Sequence, residues 1–426
     1  MRHSGGVSTP VEDTQDLTGS RVELEIGPVA HGGHCVARWD GRVVFVRHTL
    51  PGERVVAEIT EGGAGDRFLR ADAVEVLTAA PGRVASRCPV SGPGGCGGCD
   101  FQHVDLAVQR ELLGAVVEEQ LSRLARIDRR VVVRPPLGDE DADGLDWRTR
   151  VTFATGSDGS LGLRKHRSHE VVPLDACPIA SPELPDVLSL PWPASRVLAV
   201  AGSGGDRFVG AYDVTGDLPS VETDGLMADG RRVSGRAWVR ERVRDREFRV
   251  GGSGFWQVHP RSAETLVDAV LRAADVRPGE RVADLYAGVG LFTAFLAEAV
   301  GPEGTVLSVE GDARGSRDAK RNLHDLPQAA VLHGDVEQLL RRGDVGERCD
   351  VVVLDPPRTG ARAKVVRAIA ALRPRRVVYV ACDPAALARD VATFASEGYD
   401  LGEVEAYALF PMTHHVECVA VLDRRS

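Results

Sequence analysis

The chain has 426 residues, 43 % of them apolar and 27 % charged, which is ordinary for a globular protein and sets an expectation of two or three domains. Its formal net charge of −10 argues weakly against a nucleic-acid partner, because phosphate contacts need local positive charge, although net charge says nothing of distribution. No run of about 18 apolar residues occurs, so neither a membrane span nor a membrane partner is expected.

In chain order, residues 1–14 have no apolar signal core and read as a disordered lead-in, from which we expect a cytoplasmic protein. Residues 15–78 alternate apolar and polar positions in short runs such as Val22–Ile26, Arg42–Val46 and Arg54–Ile59. Turns punctuate them at Gly32-Gly33, Asp40-Gly41, Pro51-Gly52 and Gly62-Gly63. This predicts a small β-barrel of the OB type, a shape often used to bind oligonucleotides.

Residues 79–255 form an expected β-rich central domain that opens on clustered cysteines in RCPVSGPGGCGGCDFQH. In a cytoplasmic chain of this size a disulfide framework is not expected. Cys88, Cys96 and Cys99 are three thiolates in a glycine-rich loop that can wrap a metal centre, and Cys177 of Asp175-Ala176-Cys177-Pro178 is the candidate fourth. Four cysteines suit zinc or an iron–sulfur cluster, and spacing does not choose between them. From His103 to Ile127, apolar residues recur at helical spacing (Leu106, Leu112, Leu113, Val116, Val117, Leu121, Leu124), which predicts one long amphipathic helix that can pack on the following domain. The stretch 231–249 holds eight arginines: Arg231, Arg232, Arg236, Arg240, Arg242, Arg244, Arg246 and Arg249. It reads equally as a phosphate-tracking stripe or as a solvated strand ion-paired to Glu241, Asp245 and Glu247.

From residue 256 to 426 strands and helices alternate, the pattern of a doubly wound, Rossmann-like α/β sheet. Strands are predicted at Arg281–Tyr286, Thr305–Val309, Ala330–His333, Val351–Leu354 and Val377–Val380, with a closing hairpin from Leu401–Leu409 and Val416–Leu422. Ligands bind such sheets outside the carboxyl ends of the strands, where Asp284, Gly288, Gly290, Glu310, Asp335, Asp355 and Cys382 fall. The glycine turn Ala287–Gly290 lets a ligand approach the backbone, and Glu310 can accept from ribose hydroxyls. The turn is shorter than a dinucleotide fingerprint and no Walker lysine accompanies it, which favours S-adenosylmethionine. Pro384 sits at a helix start, so Cys382 lies on a strand-to-helix turn where the helix dipole is expected to favour its thiolate.

Asp355-Pro356-Pro357-Arg358 on one strand end and Cys382 on the next suggest carbon methylation of a pyrimidine. Thiolate addition at carbon 6 makes carbon 5 nucleophilic. A base must then remove the carbon 5 proton. Glu417 in Phe410–Glu417 (FPMTHHVE), with His414 and His415 beside it, is the candidate.

These pieces resemble the bacterial RNA 5-methyluridine methyltransferases, in particular the iron–sulfur, TRAM-containing 23S rRNA type. The resemblance covers nearly the whole chain, through AHGGHCVARWDGRVVFVRHTLPGERV, CPVSGPGGCGGC with DACP, GFWQVHP, ADLYAGVG, VVVLDPPRTG, VYVACDPAALARD and FPMTHHVE. It implies a class I methyltransferase domain preceded by a TRAM barrel, with Cys382 as nucleophile and Glu417 as proton acceptor. It further implies S-adenosylmethionine contacts from Gln257, Tyr286, Glu310 and Asp355, and a 4Fe–4S cluster on Cys88, Cys96, Cys99 and Cys177. The partner implied is RNA, 23S rRNA before transfer RNA, with a flipped uridine. A monomer is the default expectation. The gap between Cys88 and Cys96 is longer than is common in that family, and Ala287 and Ala381 stand where it often has Cys and Ser. Rival readings are a cytosine-5 methyltransferase and a non-catalytic RNA-binding assembly factor.

Overall fold

The computed structural model describes residues 16–140 and 142–425, so the lead-in expected at 1–14 lies outside the described residues. Among the described residues, no helix is long and apolar enough to cross a membrane. The first sheet has six strands between Arg21 and Thr78. Five apolar side chains on alternating positions, Val44, Val46, Val55, Ala57 and Ile59, are at most 1 % exposed and fill its interior. Period-2 burial of this kind fixes strand register, since a one-residue slip would turn the whole set to solvent.

The predicted long helix is an α-helix over Leu106–Gln120 that continues as one π-helical turn, Leu121–Ala125. The Asp105 carboxylate accepts from the Ala107 N–H at 2.8 Å and caps it. Its buried stripe includes Leu112, Leu113, Val116, Val117 and Leu121, in one core with Leu387, Val391 and Phe394 of the helix Pro384–Ser396. Just beyond it, Val133–Arg134 adds to the edge of the last sheet, parallel to Tyr399–Tyr407. The segment after the cysteine loop is therefore physically part of the C-terminal body.

A seven-stranded sheet between Arg150 and Gly235 follows, then the two-stranded ribbon Trp238–Val243 and Arg246–Gly251. The arginine stripe is resolved here. Arg236 and Arg240 both reach Asp206 (2.7 and 2.8 Å), whose side chain is 1 % exposed. Arg242 meets Glu247, Arg244 meets Asp268, Arg246 meets Asp325 and Arg249 meets Asp318. Six arginines of the eight are thus ion-paired, which answers to the solvated-strand reading rather than a phosphate stripe. The partners differ from those expected: only Glu247 serves, while Glu241 is buried against Arg150 at 2.9 Å.

The last sheet has eight strands. Five are parallel, in the order Ala329–His333, Thr305–Glu310, Arg281–Leu285, Val351–Leu354 and Arg376–Ala381. Glu417–Arg424 then runs antiparallel to Arg376–Ala381 and pairs with Tyr399–Tyr407. Val351–Leu354 and Val377–Val380 are at most 0 % exposed because helices cover both faces, which is why they read as unbroken apolar runs.

Candidate active site

The carboxyl edge of this sheet collects the chemistry. At the first strand end, Tyr286 (φ 62°), Gly288 (φ 56°) and Gly290 (φ 89°) turn the chain into the helix Leu291–Val300. At Gly290 a Cβ would also stand 3.0 Å from Leu323, so that position requires glycine on two counts. Glu310 ends the next strand. Its carboxylate accepts from the Gly288 N–H at 2.7 Å and from the Asp312 N–H at 2.5 Å, which locks the glycine turn to the acidic strand end. Asp335 caps the helix Val336–Arg342, accepting from the Gln338 N–H at 2.9 Å.

Asp284 is fully buried. It accepts from the Thr293 hydroxyl at 2.5 Å, while its Oδ1 has no partner. Burial pushes this carboxyl up to about 7, against hydrogen bonds from Thr293. Asp355 is also pushed up to about 7, by burial and then by the charge of Asp284. Gln257 is buried, as are Trp256 and His259. The Thr149 N–H and hydroxyl donate to the neighbouring Val258 carbonyl at 2.8 and 2.9 Å, tying this segment to the central sheet. Among the described residues, no hydrogen bond joins Gln257 to the carboxylates.

Cys382 follows the strand Arg376–Ala381, and Glu417 begins the antiparallel strand beside it. Ala381 pairs with Cys418, so the next step of the ladder sets Cys382 across from Glu417. Glu417 is 3 % exposed and its carboxyl is raised well above the ordinary range by burial and by Asp355, with Arg358 opposing. The helix after Cys382 is capped by Asp383, which accepts from the Ala386 N–H at 2.7 Å, with Pro384 in its first turn. The thiol departs from expectation. Burial, then Glu417 and Asp355, push Cys382 up to about 12. Desolvation and two adjacent carboxyls outweigh a helix N-terminus, whose effect is confined to one turn.

Three positions beside this centre had no role in the sequence reading. Arg358, visible there only as part of its motif, opposes the carboxylates at both Cys382 and Glu417. His31 of the barrel lies 3.1 Å from Asp383, next to Cys382. Asp100, beside Cys99, contacts His414. The last two are pairings of distant segments, for which a sequence carries no signal.

Cys88, Cys96, Cys99 and Cys177 line one small cavity with Leu163, Leu174 and Ile179. The Gly98 N–H donates to Cys96 Sγ at 3.4 Å and the Gln102 amide to Cys99 Sγ at 3.6 Å. All eight cysteines are free thiols. Among the described residues, no three His, Cys, Asp or Glu side chains converge closely enough to hold one metal ion.

A doubly wound sheet with a glycine turn and acidic strand ends defines a Rossmann-like, class I methyltransferase. Comparison with known proteins carries this further. Residues 15–74 match the TRAM domain, residues 254–340 the protein-L-isoaspartate(D-aspartate) O-methyltransferase family, and residues 344–425 the tRNA (uracil-5-)-methyltransferase family. An uncharacterized RNA methyltransferase of Streptomyces coelicolor is 48 % identical over 98 % of this chain and 96 % of its own length. Another, of Bifidobacterium longum, is 38 % identical over 96 % and 98 %. The crystal structure of the Pyrococcus abyssi tRNA (uracil-54, C5)-methyltransferase in complex with S-adenosyl-L-homocysteine shares the fold, with a TM-score of 0.70 at 22 % identity over 93 % of this chain and 99 % of that one. The chain belongs to the S-adenosylmethionine-dependent RNA uracil-5 methyltransferase family.

Proposed function

We propose that this enzyme methylates carbon 5 of a specific uridine in 23S rRNA through a covalent Cys382–uracil adduct. The observation that carries the reading is the strand register that sets Cys382 across from Glu417, with Asp355 and Arg358 beside them. On this reading Gln257, Asp284, Tyr286, Gly288, Gly290, Glu310, Asp335 and Asp355 hold the methyl donor, with Asp355 near the uracil as well. S-adenosylmethionine supplies the methyl group and a sulfonium cation.

The Cys382 thiol releases its proton to solvent as its sulfur bonds carbon 6 of the uracil, and the electron pair displaced onto carbon 5 takes the methyl group from S-adenosylmethionine, which leaves as S-adenosylhomocysteine. Glu417 then accepts the carbon 5 proton, the carbon 5–carbon 6 double bond reforms and the sulfur leaves. A carboxyl raised by burial is a stronger base once ionised, which suits a proton held on carbon. Asp355, as a neutral acid or an ion, faces the uracil.

Cys88, Cys96, Cys99 and Cys177 would hold a 4Fe–4S cluster. The four cysteines line one small cavity together, and a set of four thiols, three of them in a glycine-rich loop, suits such a cluster. The chemistry it would supply is a scaffold for the loop, since methyl transfer calls for no electron. The resemblance to the iron–sulfur, TRAM-containing 23S rRNA type favours ribosomal RNA, whereas the family matched by residues 344–425 is described for transfer RNA, which is the second reading. Incubating the enzyme separately with unmodified 23S rRNA and transfer RNA, then identifying the methylated nucleoside by mass spectrometry, tests both. 5-Methyluridine in 23S rRNA alone is expected; 5-methyluridine in transfer RNA alone, or 5-methylcytidine in either, overturns the assignment.

A further inference from the structure

The cysteine loop and the loop leading to Glu417 are separated by 314 positions at Asp100 and His414, yet hydrogen bonds join them. Asp100, 6 % exposed, directly follows Cys99. Its Oδ2 accepts from the His414 backbone N–H at 3.2 Å and meets His414 Nδ1 at 2.5 Å. The Asp100 and Phe101 N–H groups both donate to the Met412 carbonyl, at 2.9 and 3.0 Å. Buried Gln109 closes the other side: the Met412 N–H donates to its Oε1 at 2.9 Å, and its Nε2 donates to the Phe101 and Val104 carbonyls. Gly33 of the barrel seals the contact, since a Cβ there would lie 2.8 Å from His414 Cβ and 2.9 Å from Asp100 Cβ.

The connection continues toward the reacting atoms. The His414 and His415 rings lie 4.1 Å apart between centroids with their planes tilted by 46°, and His415 Nε2 stands 3.2 Å from Arg358 Nη2. Residues 408–416 are neither helix nor strand, so no ladder holds them in place. Their geometry rests on the backbone bonds at Met412 together with these side-chain bonds, and Glu417 is three residues from His414.

We propose that Asp100 and His414 are positioning residues for the proton-removal step: their contact anchors the final loop to the cysteine loop and thereby sets Glu417 and Arg358 against the uracil adduct. The inference rests on the reading of Glu417 as proton acceptor. Neither residue touches the reacting atoms. A misplacement of about 1 Å can slow a step by about 100-fold. Loosening this contact therefore slows proton removal more than it slows attack by Cys382, and the methylated adduct builds up.

The test uses full-length, anaerobically purified Asp100→Ala, His414→Ala and the double variant, with S-adenosylmethionine and ordinary uridine-containing RNA. Turnover is read beside the fraction of protein linked to RNA after denaturation. We expect turnover to fall about 10- to 100-fold, the linked fraction to rise above wild type, and the double variant to be no worse than the worse single one. Turnover and linked fraction falling together, or neither changing, overturns the proposal. His414→Ala trims a partly exposed ring and leaves the cysteine loop its own contacts, so it decides the matter if Asp100→Ala does not fold. Glu417→Gln is run in parallel. If it accumulates adduct while the His414 variant does not, the positioning role is wrong and the mechanism stands. If Glu417→Gln itself turns over normally, the proposal falls together with the reading of Glu417.

Discussion

Replacing Asp284 by Asn should destabilise the free protein near pH 4 and stabilise it above about pH 7. Asp284 is 0 % exposed, one of its oxygens has no partner, and its carboxyl sits at about 7 against an ordinary 3.8. The sign follows from proton binding. Between those two values the folded state holds the proton and the unfolded state has released it, so stability falls as pH rises. The contribution is fully present below the unfolded value and lost by the time pH passes the folded one. Three units at about 1.36 kcal/mol each make the loss roughly 4 kcal/mol. Asparagine has no proton to lose. Its amide leaves a donor without a partner, a cost of about 1–3 kcal/mol that does not vary with pH. The difference in stability between variant and wild type should therefore climb between about pH 4 and pH 7 and level off above. Urea unfolding of both proteins at unit steps of pH reads it directly. A difference that stays flat from pH 4 to pH 8 would refute the claim that Asp284 is held neutral by burial.

Other expectations concern the site itself. The Cys382 thiol of the free enzyme, at about 12, should react with iodoacetamide at pH 8 about 30- to 60-fold more slowly than an ordinary thiol at 9, with the rate still rising at pH 10. Glu417→Gln removes the carboxyl whose ionised form opposes the Cys382 thiolate and should speed that alkylation at the alkaline end of the profile; an unchanged rate there would deny the electrostatic coupling between the two strand ends. His31→Ala cuts the barrel's contact with Asp383 and should cost under about 1 kcal/mol in thermal unfolding, since the imidazole is part-exposed. Anaerobically purified protein should absorb near roughly 400 nm and lose that band in Cys177→Ser, whereas a colourless protein with one zinc per chain would reject the cluster.

The C-terminal sheet was legible because parallel strands covered on both faces must be apolar throughout, and Val351–Leu354 and Val377–Val380 show this unbroken. The turn at Cys382 was legible for a local reason too: Asp383 and Pro384 form a cap and first turn whose chemistry is complete within four residues. What escaped was non-local. The charge state of Cys382 depends on Asp355 and Glu417, each brought in by a neighbouring strand, and the local helix dipole pointed the other way. The arginine stripe looked available for phosphate because its partners Asp206, Asp268, Asp318 and Asp325 lie far along the chain. Asp100 gave no sign of its contact with His414, because an aspartate after a cysteine is unremarkable until the fold closes around it. The predicted end of the long helix, Ile127, lies two residues beyond Ala125, where Leu121–Ala125 keeps the apolar stripe while widening to π geometry.

The central claim is a covalent bond between Cys382 and a uridine, and one measurement addresses it most directly. The anaerobically purified enzyme is incubated with S-adenosylmethionine and with ribosomal or transfer RNA in which uridine is replaced by 5-fluorouridine. Fluorine on carbon 5 cannot leave as a proton, so Glu417 has nothing to accept and the adduct cannot collapse. The account predicts a denaturation-resistant protein–RNA complex that maps to Cys382, carries one transferred methyl group and is absent in Cys382→Ala. A methylated product that forms with no linked complex, or a complex that persists in Cys382→Ala, would contradict it.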